Sequence, residues 1–289
     1  MKKITVLSSQ EYEEKEKNYG DCIVIDNSEE IVVYDCGCEE HAKRVIKYMD
    51  DNKISKVKVI LSHNDSDHFN GIPYLIEKGK VSEVYTVLLL KYKDELLEKI
   101  DDKRRNRDSI GETIKSIYSN IAELSRKVSL KDIYEEKKIG TDITVVGPEK
   151  EYMLDSVAKG IDSREGDTID KETIVNATSV QISLAMGNDK LLLCGDCSYA
   201  AIDDKVKEYS YIQLPHHGKK EQADKIFRAK EGENKVVYIV SDNTGNSNGG
   251  SDDLPQKGYD IRNTKKGDIR LKPNTNTRRL KGYYSVYKI

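Results

Sequence analysis

His63-Asn64-Asp65-Ser66-Asp67-His68 places two imidazoles and two carboxylates within six residues. The apolar run VKVILS (57–62) precedes them and Gly71 follows, so the group sits on a turn at the end of a buried strand. Two more histidines are adjacent, His216-His217, in LPHHG. Aspartates end two other apolar runs, Asp35 in VVYDCG and Asp196 in LLLCGD. Ligand-type side chains thus recur at strand ends, where a rigid sheet can aim them into one site. Imidazole nitrogen and carboxylate oxygen are ligands for Zn²⁺, Mn²⁺ or Fe²⁺. Together these groups exceed what one tetrahedral ion needs and point to two divalent cations. Such a pair can share a bridging hydroxide and clamp the attacking and leaving oxygens of a displacement.

The other candidates are plainer. Of five histidines only His41 lies elsewhere, on the charged stretch EEHAKRVIKYMDDN (39–52), where it reads as a solvated surface residue. The five cysteines are Cys22, Cys36, Cys38, Cys194 and Cys197. CGDC has the C-x-x-C form of zinc and redox sites. The simpler reading is small residues on buried strand ends in a reducing cytosol.

The elements that must position these groups are mostly strands. KITVL (3–7), DCIVID (21–26) and EIVVYD (30–35) are rich in β-branched residues, and NSEE reads as a hairpin turn. The stretch 39–52 reads as a helix, 57–62 as a buried strand, GIPYLIEKG as a helix and SEVYTVLLL (82–90) as a strand. Strand patterns resume at 142–148, 178–186, 190–196, 211–218 and 235–243, before a polar Gly-rich loop at 241–253. Between them, 91–138 is dense in charge. It carries Ile110, Ile114, Ile117, Ile121, Leu124 and Val128 at steps of three and four, the stripe of an amphipathic helix. That helix is expected to pack on the body; the sharper alternative is a lid or an oligomer seam over 110–128. The expected organisation is a single domain over 1–289 with a helical insertion at about 91–138.

Composition narrows the class. A chain of 289 residues buries a substantial core without disulfides. With 34% charged residues and a net charge of −3, nothing draws the whole molecule to nucleic acid or membrane. The N-terminus lacks an apolar core long enough for a signal peptide, no run approaches a spanning helix, and the expected location is cytoplasmic.

HNDSDHFNG resembles the H-x-[HD]-x-D-H signature of the metallo-β-lactamase fold. NYGDCIVIDNSEEIVVYDCG is similar to that family's opening hairpin, LLLCGD to the strand that supplies its bridging Asp, and LPHHG to its last histidine motif. The order of motifs is most similar to the metallo-β-lactamase-like domain of the DNA-uptake protein ComEC and its soluble relatives, over roughly residues 3 to 271. The resemblance implies an α/β fold, a four-layer αββα sandwich. It implies a first cation on His63 and Asp65. It implies a second on Asp67 and His68, joined by His216 or His217, with Asp196 bridging and Asp35 orienting ligands behind them. Asp67 and Asp196 would be central to catalysis. Many members supply a further histidine to the first cation; here no histidine lies between His68 and His216. Asn176 or Ser179 would face that position, and Asp65 replaces a common histidine. Both changes shift preference from Zn²⁺ toward Mn²⁺. Lys219 and Lys220 replace a usual serine after HHG and favour an anionic substrate.

The leading expectation is a metal-dependent phosphodiesterase or nuclease, acting on a nucleic acid, nucleotide or other anion. Lys103-Arg104-Arg105 with Arg107, and Arg278-Arg279 with Lys281, would hold a phosphate backbone. Eighteen tyrosines could stack bases in place of the missing tryptophan. The alternatives are a hydrolase of a lactone, thioester, lactam or small phosphoester, and a metal-depleted binding or regulatory module.

Overall fold

The computed structural model describes residues 3–162, 172–233, 235–242 and 244–273. Six strands lead the chain: β1 (Lys3–Val6), β2 (Cys22–Asp26), β3 (Ile31–Cys36), β4 (Val57–Ile60), β5 (Val81–Thr86) and β6 (Ser129–Asp132). Then come β7 (Lys138–Ile139), β8 (Ile143–Gly147), β9 (Gln181–Met186), β10 (Asp189–Leu193), β11 (Tyr211–Gln213), β12 (Val237–Val240), β13 (Asp260–Asn263) and β14 (Ile269–Leu271). They form two seven-stranded sheets, ordered β14-β1-β2-β3-β4-β5-β6 and β13-β12-β11-β10-β9-β8-β7. Each sheet is mixed. The hairpins β1-β2-β3 and β8-β9-β10 are antiparallel, whereas β3-β4-β5-β6 and β10-β11-β12-β13 are parallel.

Inner strands such as β3 and β12 read as near-continuous apolar runs because both of their faces are covered. Every residue of β2, β3 and β12 is buried. Ile60 and Leu61 of the first sheet share one core with Ile182, Leu184, Leu191 and Leu193 of the second. Two hydrogen bonds cross between the sheets at the rim: Tyr34 Oη donates to the Val180 carbonyl at 2.7 Å, and Val180 N to the Ser62 carbonyl at 3.0 Å. Helix 39–51 packs Ala42, Val45 and Met49 into the main core from outside the first sheet. Helix 220–229 packs Ala223, Ile226 and Phe227 against Leu192, Ile212 and Tyr238 outside the second. The expected αββα sandwich is the observed one.

Several readings need correction. The stretch 91–138 is helical only in part, at 93–99, 107–117 and 119–124. Its remainder contributes β6, paired in parallel with β5, so it belongs to the first sheet. The stripe is not one helix; it breaks at Tyr118. Ile110, Ile114, Ile121 and Leu124 are buried, and Ile117 and Val128 pack against the core, so the stripe is spent within the chain. The run 82–90 leaves the sheet at Thr86 and closes in a short 3₁₀ turn at 89–92. His41 is not solvated but fully buried, because it lies four residues before Val45 and eight before Met49 on the inward face of its helix. No helix among the described residues is long and apolar enough to cross a membrane.

Candidate metal centre

The parallel strands β3, β4, β10 and β11 all end at one rim, and each end carries site residues. Asp35 closes the apolar part of β3, residues 61–68 follow β4, Asp196 follows β10 and His216-His217 follow β11. The backbone is bent to aim them. Asp35, His216 and His217 have φ of 57°, 52° and 53°, the left-handed region that costs a non-glycine residue about 1–3 kcal/mol. Asp67 sits in a cradle. A Cβ on Gly20 or on Gly37 would lie 2.0 Å from its carbonyl oxygen, and Asp21 N donates to that oxygen at 2.8 Å. Only glycine tolerates this approach.

Asp67, His68, Asp196 and His217 each offer a ligand atom, and all four atoms lie within 4.8 Å of one another. His217 Nε2 is 2.9 Å from Asp67 Oδ2 and 3.3 Å from Asp196 Oδ2. His68 Nε2 is 3.5 Å from Asp67 Oδ2 and 3.3 Å from Asp196 Oδ1. Of the two adjacent histidines it is therefore His217 that joins His68. His216 points elsewhere, with Nδ1 3.3 Å from Asn176 Nδ2 and 3.9 Å from Asp196 Oδ2.

A layer of polar groups orients this cluster from behind. Asp35 accepts from Ser62 N, Ser62 Oγ and His68 Nδ1 at 2.7, 2.7 and 2.8 Å, which leaves His68 Nε2 to face the site. A second carboxylate stands behind His217, with Asp21 Oδ1 3.3 Å from its Nδ1. Asp21 Oδ2 in turn accepts from Gln213 Nε2 at 2.7 Å and Ser241 Oγ at 2.6 Å. Gln213 Oε1 accepts from Cys194 N at 2.9 Å, tying this layer to the strand that carries Asp196. Sequence reasoning gave Asp21, Gln213 and Ser241 no role. Asp21 had a signal, a carboxylate directly after Gly20 at the start of a strand; the other two had none.

The second side is looser. His63 stacks on His68 at 4.2 Å between ring centroids, and its Nε2 lies 3.5 Å from Asp65 Oδ2. The Asp65 carboxylate is half exposed, and neither His63 nor Asp65 enters a convergent group. Ser179 Oγ accepts from Asp196 N at 3.3 Å and lies 3.4 Å from His63 Nδ1. Of the two candidates for the missing ligand's place, Ser179 stands beside His63, whereas the Asn176 amide lies against His216. Lys219 is close enough to His216 to help depress its pKa, behind burial. Lys220 pairs instead with Asp224 at 3.0 Å along its own helix. The basic run at 103–107 is largely engaged: Arg104 with Asp102, Arg107 with Asp94, and Arg105 with Thr113. Arg278, Arg279 and Lys281 lie outside the described residues.

The electrostatics ask for positive charge. Asp21, Asp35, Asp67 and Asp196 are all buried, at 0, 0, 8 and 5% exposure. Burial would lower the pKa of His68 and His217, but the carboxylates, Asp196 foremost, outweigh it and hold both well above the ordinary value. Burial would raise Asp67 and Asp196, but His68 and His217 hold both below the carboxylate range. For Asp35 burial wins and its pKa is raised. His63 Nε2, His68 Nε2 and Asp196 Oδ1 are buried and make no hydrogen bond within the described residues. Lone pairs left open beside concentrated negative charge fit divalent cations. The cysteines do not: all five are free and buried, and burial raises Cys22 and Cys197 far above the ordinary thiol.

The structure is similar to Tm1679, a metal-dependent hydrolase of the β-lactamase superfamily, with TM-score 0.52 and 13% identity over 94% of this chain and 99% of that one. It is also similar to the metallo-β-lactamase fold protein YhfI from Bacillus subtilis, with TM-score 0.51 and 10% identity over 93% of this chain and 100% of that one. At such identities the likeness is one of fold. No curated protein matches the chain. Residues 17–241, which hold every site residue named above, match the family model of the metallo-β-lactamase superfamily, and the chain belongs to that family.

Proposed function

We propose that the chain is a metal-dependent hydrolase that cleaves a small phosphodiester. The observation that carries this is the buried convergence of Asp67, His68, Asp196 and His217 within 4.8 Å. These four would hold one cation. His63 and Asp65 would hold a second beside it, with Asp196 next to both, since Ser179 Oγ accepts from Asp196 N and lies 3.4 Å from His63 Nδ1. When bound, the cations would supply Lewis acidity and an activated water. Asp35 and Asp21 fix which imidazole nitrogen faces the site. Asp65, half exposed, marks the side from which substrate enters. Lys219, beside His216, would receive an anionic group there.

A small substrate is favoured over a long nucleic acid because the chain carries a net charge of −3 and no tryptophan for base stacking. The oxygen-rich donor set of the open side, and the absence of a histidine from 69–215, favour Mn²⁺ over Zn²⁺ there. The test is a screen of bis(p-nitrophenyl) phosphate against carboxylic ester, thioester and lactam reporters across Mn²⁺, Zn²⁺ and Mg²⁺, with elemental analysis. Turnover of the phosphodiester alone, strongest with Mn²⁺, is expected. Turnover of only the ester or lactam reporters would replace this substrate class with a carbonyl one.

A further inference from the structure

The helical insertion touches the metal centre at one point, and that point is its break. Asn64 lies between His63 and Asp65, on a stretch in neither strand nor helix. Its Nδ2 donates to the Ile117 carbonyl at 2.9 Å and to Asn120 Oδ1 at 3.2 Å. Asn120 Nδ2 returns a hydrogen bond to the Asn64 carbonyl at 3.1 Å. Asn120 is itself fixed, since its Oδ1 also accepts from Ile121 N at 2.9 Å. Ile117 ends the helix 107–117, where carbonyls lack partners within the helix, so the Asn64 amide satisfies one of them.

The same break reaches the other sheet. Tyr118 and Thr178 are buried, at 7 and 1% exposure, and their hydroxyls are 2.9 Å apart. Thr178 Oγ1 donates to the Val175 carbonyl at 2.7 Å, so Tyr118 is the donor of the pair. Thr178 directly precedes Ser179, whose hydroxyl accepts from Asp196 N and reaches His63 Nδ1. Four consecutive residues, 117–120, therefore clamp the peptide that spaces His63 from Asp65 and the turn that backs Asp196. On the tight side that work is done by Asp35 and Asp21; the open side has no such carboxylate behind it among the described residues.

We propose that the break at 117–120 is a positioning element for the cation on His63 and Asp65, with Asn120 and Tyr118 as its positioning residues. This rests on the metallohydrolase reading. Loss of a partner behind a metal ligand typically weakens binding about 10–100-fold. Asn120→Ala removes both the acceptor and the donor facing Asn64, and is expected to weaken the lower-affinity cation by about 10-fold or more. The higher-affinity cation stays unchanged. Tyr118→Phe removes one hydrogen bond, further from the ligands, and is expected to give roughly a threefold change in the same class.

The experiment is an Mn²⁺ titration of metal-free protein followed by electron paramagnetic resonance of the free ion, with circular dichroism to confirm folding. In an Asn64→Ala background the effect of Asn120→Ala should shrink but not vanish, since the hydrogen bond from Asn120 Nδ2 to the backbone carbonyl of residue 64 remains. Should Asn120→Ala fail to fold, Asn120→Ser removes the amide donor to the Asn64 carbonyl without adding charge beside the site. It should show a smaller shift confined to the weaker class. Equal weakening of both classes, an effect of Asn120→Ala undiminished in the Asn64→Ala background, or wild-type binding by a folded variant overturns the inference. A wild-type protein that binds no divalent cation overturns the metallohydrolase reading instead.

Discussion

The two halves of the candidate metal centre are built to different standards. Asp67, His68, Asp196 and His217 converge within 4.8 Å and are buried. Each imidazole there has a carboxylate behind it, Asp35 for His68 and Asp21 for His217. Across Asp196, His63 is held by hydroxyls of Ser62 and Ser179, and Asp65 is half open to solvent. The difference follows from where the groups sit. The tight half hangs on the short helix 66–69, a glycine cradle and the ends of β10 and β11, whereas the open half hangs on the irregular segment 61–65 braced by the insertion. Preorganisation is strong where the scaffold is regular and must be supplied from outside where it is not.

Removing the carboxylate shared by the tight half should have the largest effect. Asp67→Ala is expected to lose the higher-affinity cation and to reduce phosphodiester hydrolysis to background, measured by kinetics and elemental analysis on the same sample. Near-normal turnover by that variant would end the metallohydrolase reading altogether.

The layer behind the tight half comes next. Asp21→Asn keeps the shape and removes the charge that faces His217 Nδ1. Cation affinity is expected to fall about 10–100-fold, with little change in the weaker class. If both classes weaken alike, the halves are not independently supported.

The open half should tolerate loss better. Asp65→Ala is expected to leave residual activity that rises with Mn²⁺, because mass action refills a weakened site. A folded Asp65→Ala protein inactive at every Mn²⁺ concentration would show that the halves are equally demanding.

What the sequence made legible follows the same division. The ligands were visible because imidazole and carboxylate at strand ends are chemically conspicuous, and the long apolar runs of β2, β3, β4 and β10 announced the sandwich. Of the layer behind them, only Asp35 was legible. Gln213 and Ser241 are ordinary polar residues whose role exists only because two sheets bring residues 21, 213 and 241 together. The edge strands β6, β13 and β14, reading SLKD, DIRN and IRL, are too short and polar to show a period. The choice between His216 and His217 rested on two successive left-handed residues, which no side-chain pattern encodes.

His41 gives the smallest effect and the sharpest contrast with the site. It is fully buried like His68 and His217, yet neither ring nitrogen makes a hydrogen bond within the described residues. Its neighbours are the edge of Tyr12, at 5.4 Å between centroids, and the Arg44 guanidinium. Burial first, and Arg44 second, push its pKa down to about 3. An imidazole in the unfolded chain titrates near ~6.5, so between that value and about 3 the unfolded state binds a proton that the folded state refuses. Stability is therefore complete above pH ~6.5 and falls as the pH drops through that window. His41→Leu removes the titration and leaves no buried polar atom behind. It is expected to change stability by less than about 1 kcal/mol at pH 8 and to unfold less readily than wild type near pH 5. Urea unfolding of both proteins across pH 4.5 to 8 measures this. Parallel pH profiles would mean that His41 takes up a proton in the folded state, and that burial outweighing the nearby Asp21 and Asp268 is not what separates it from the site histidines.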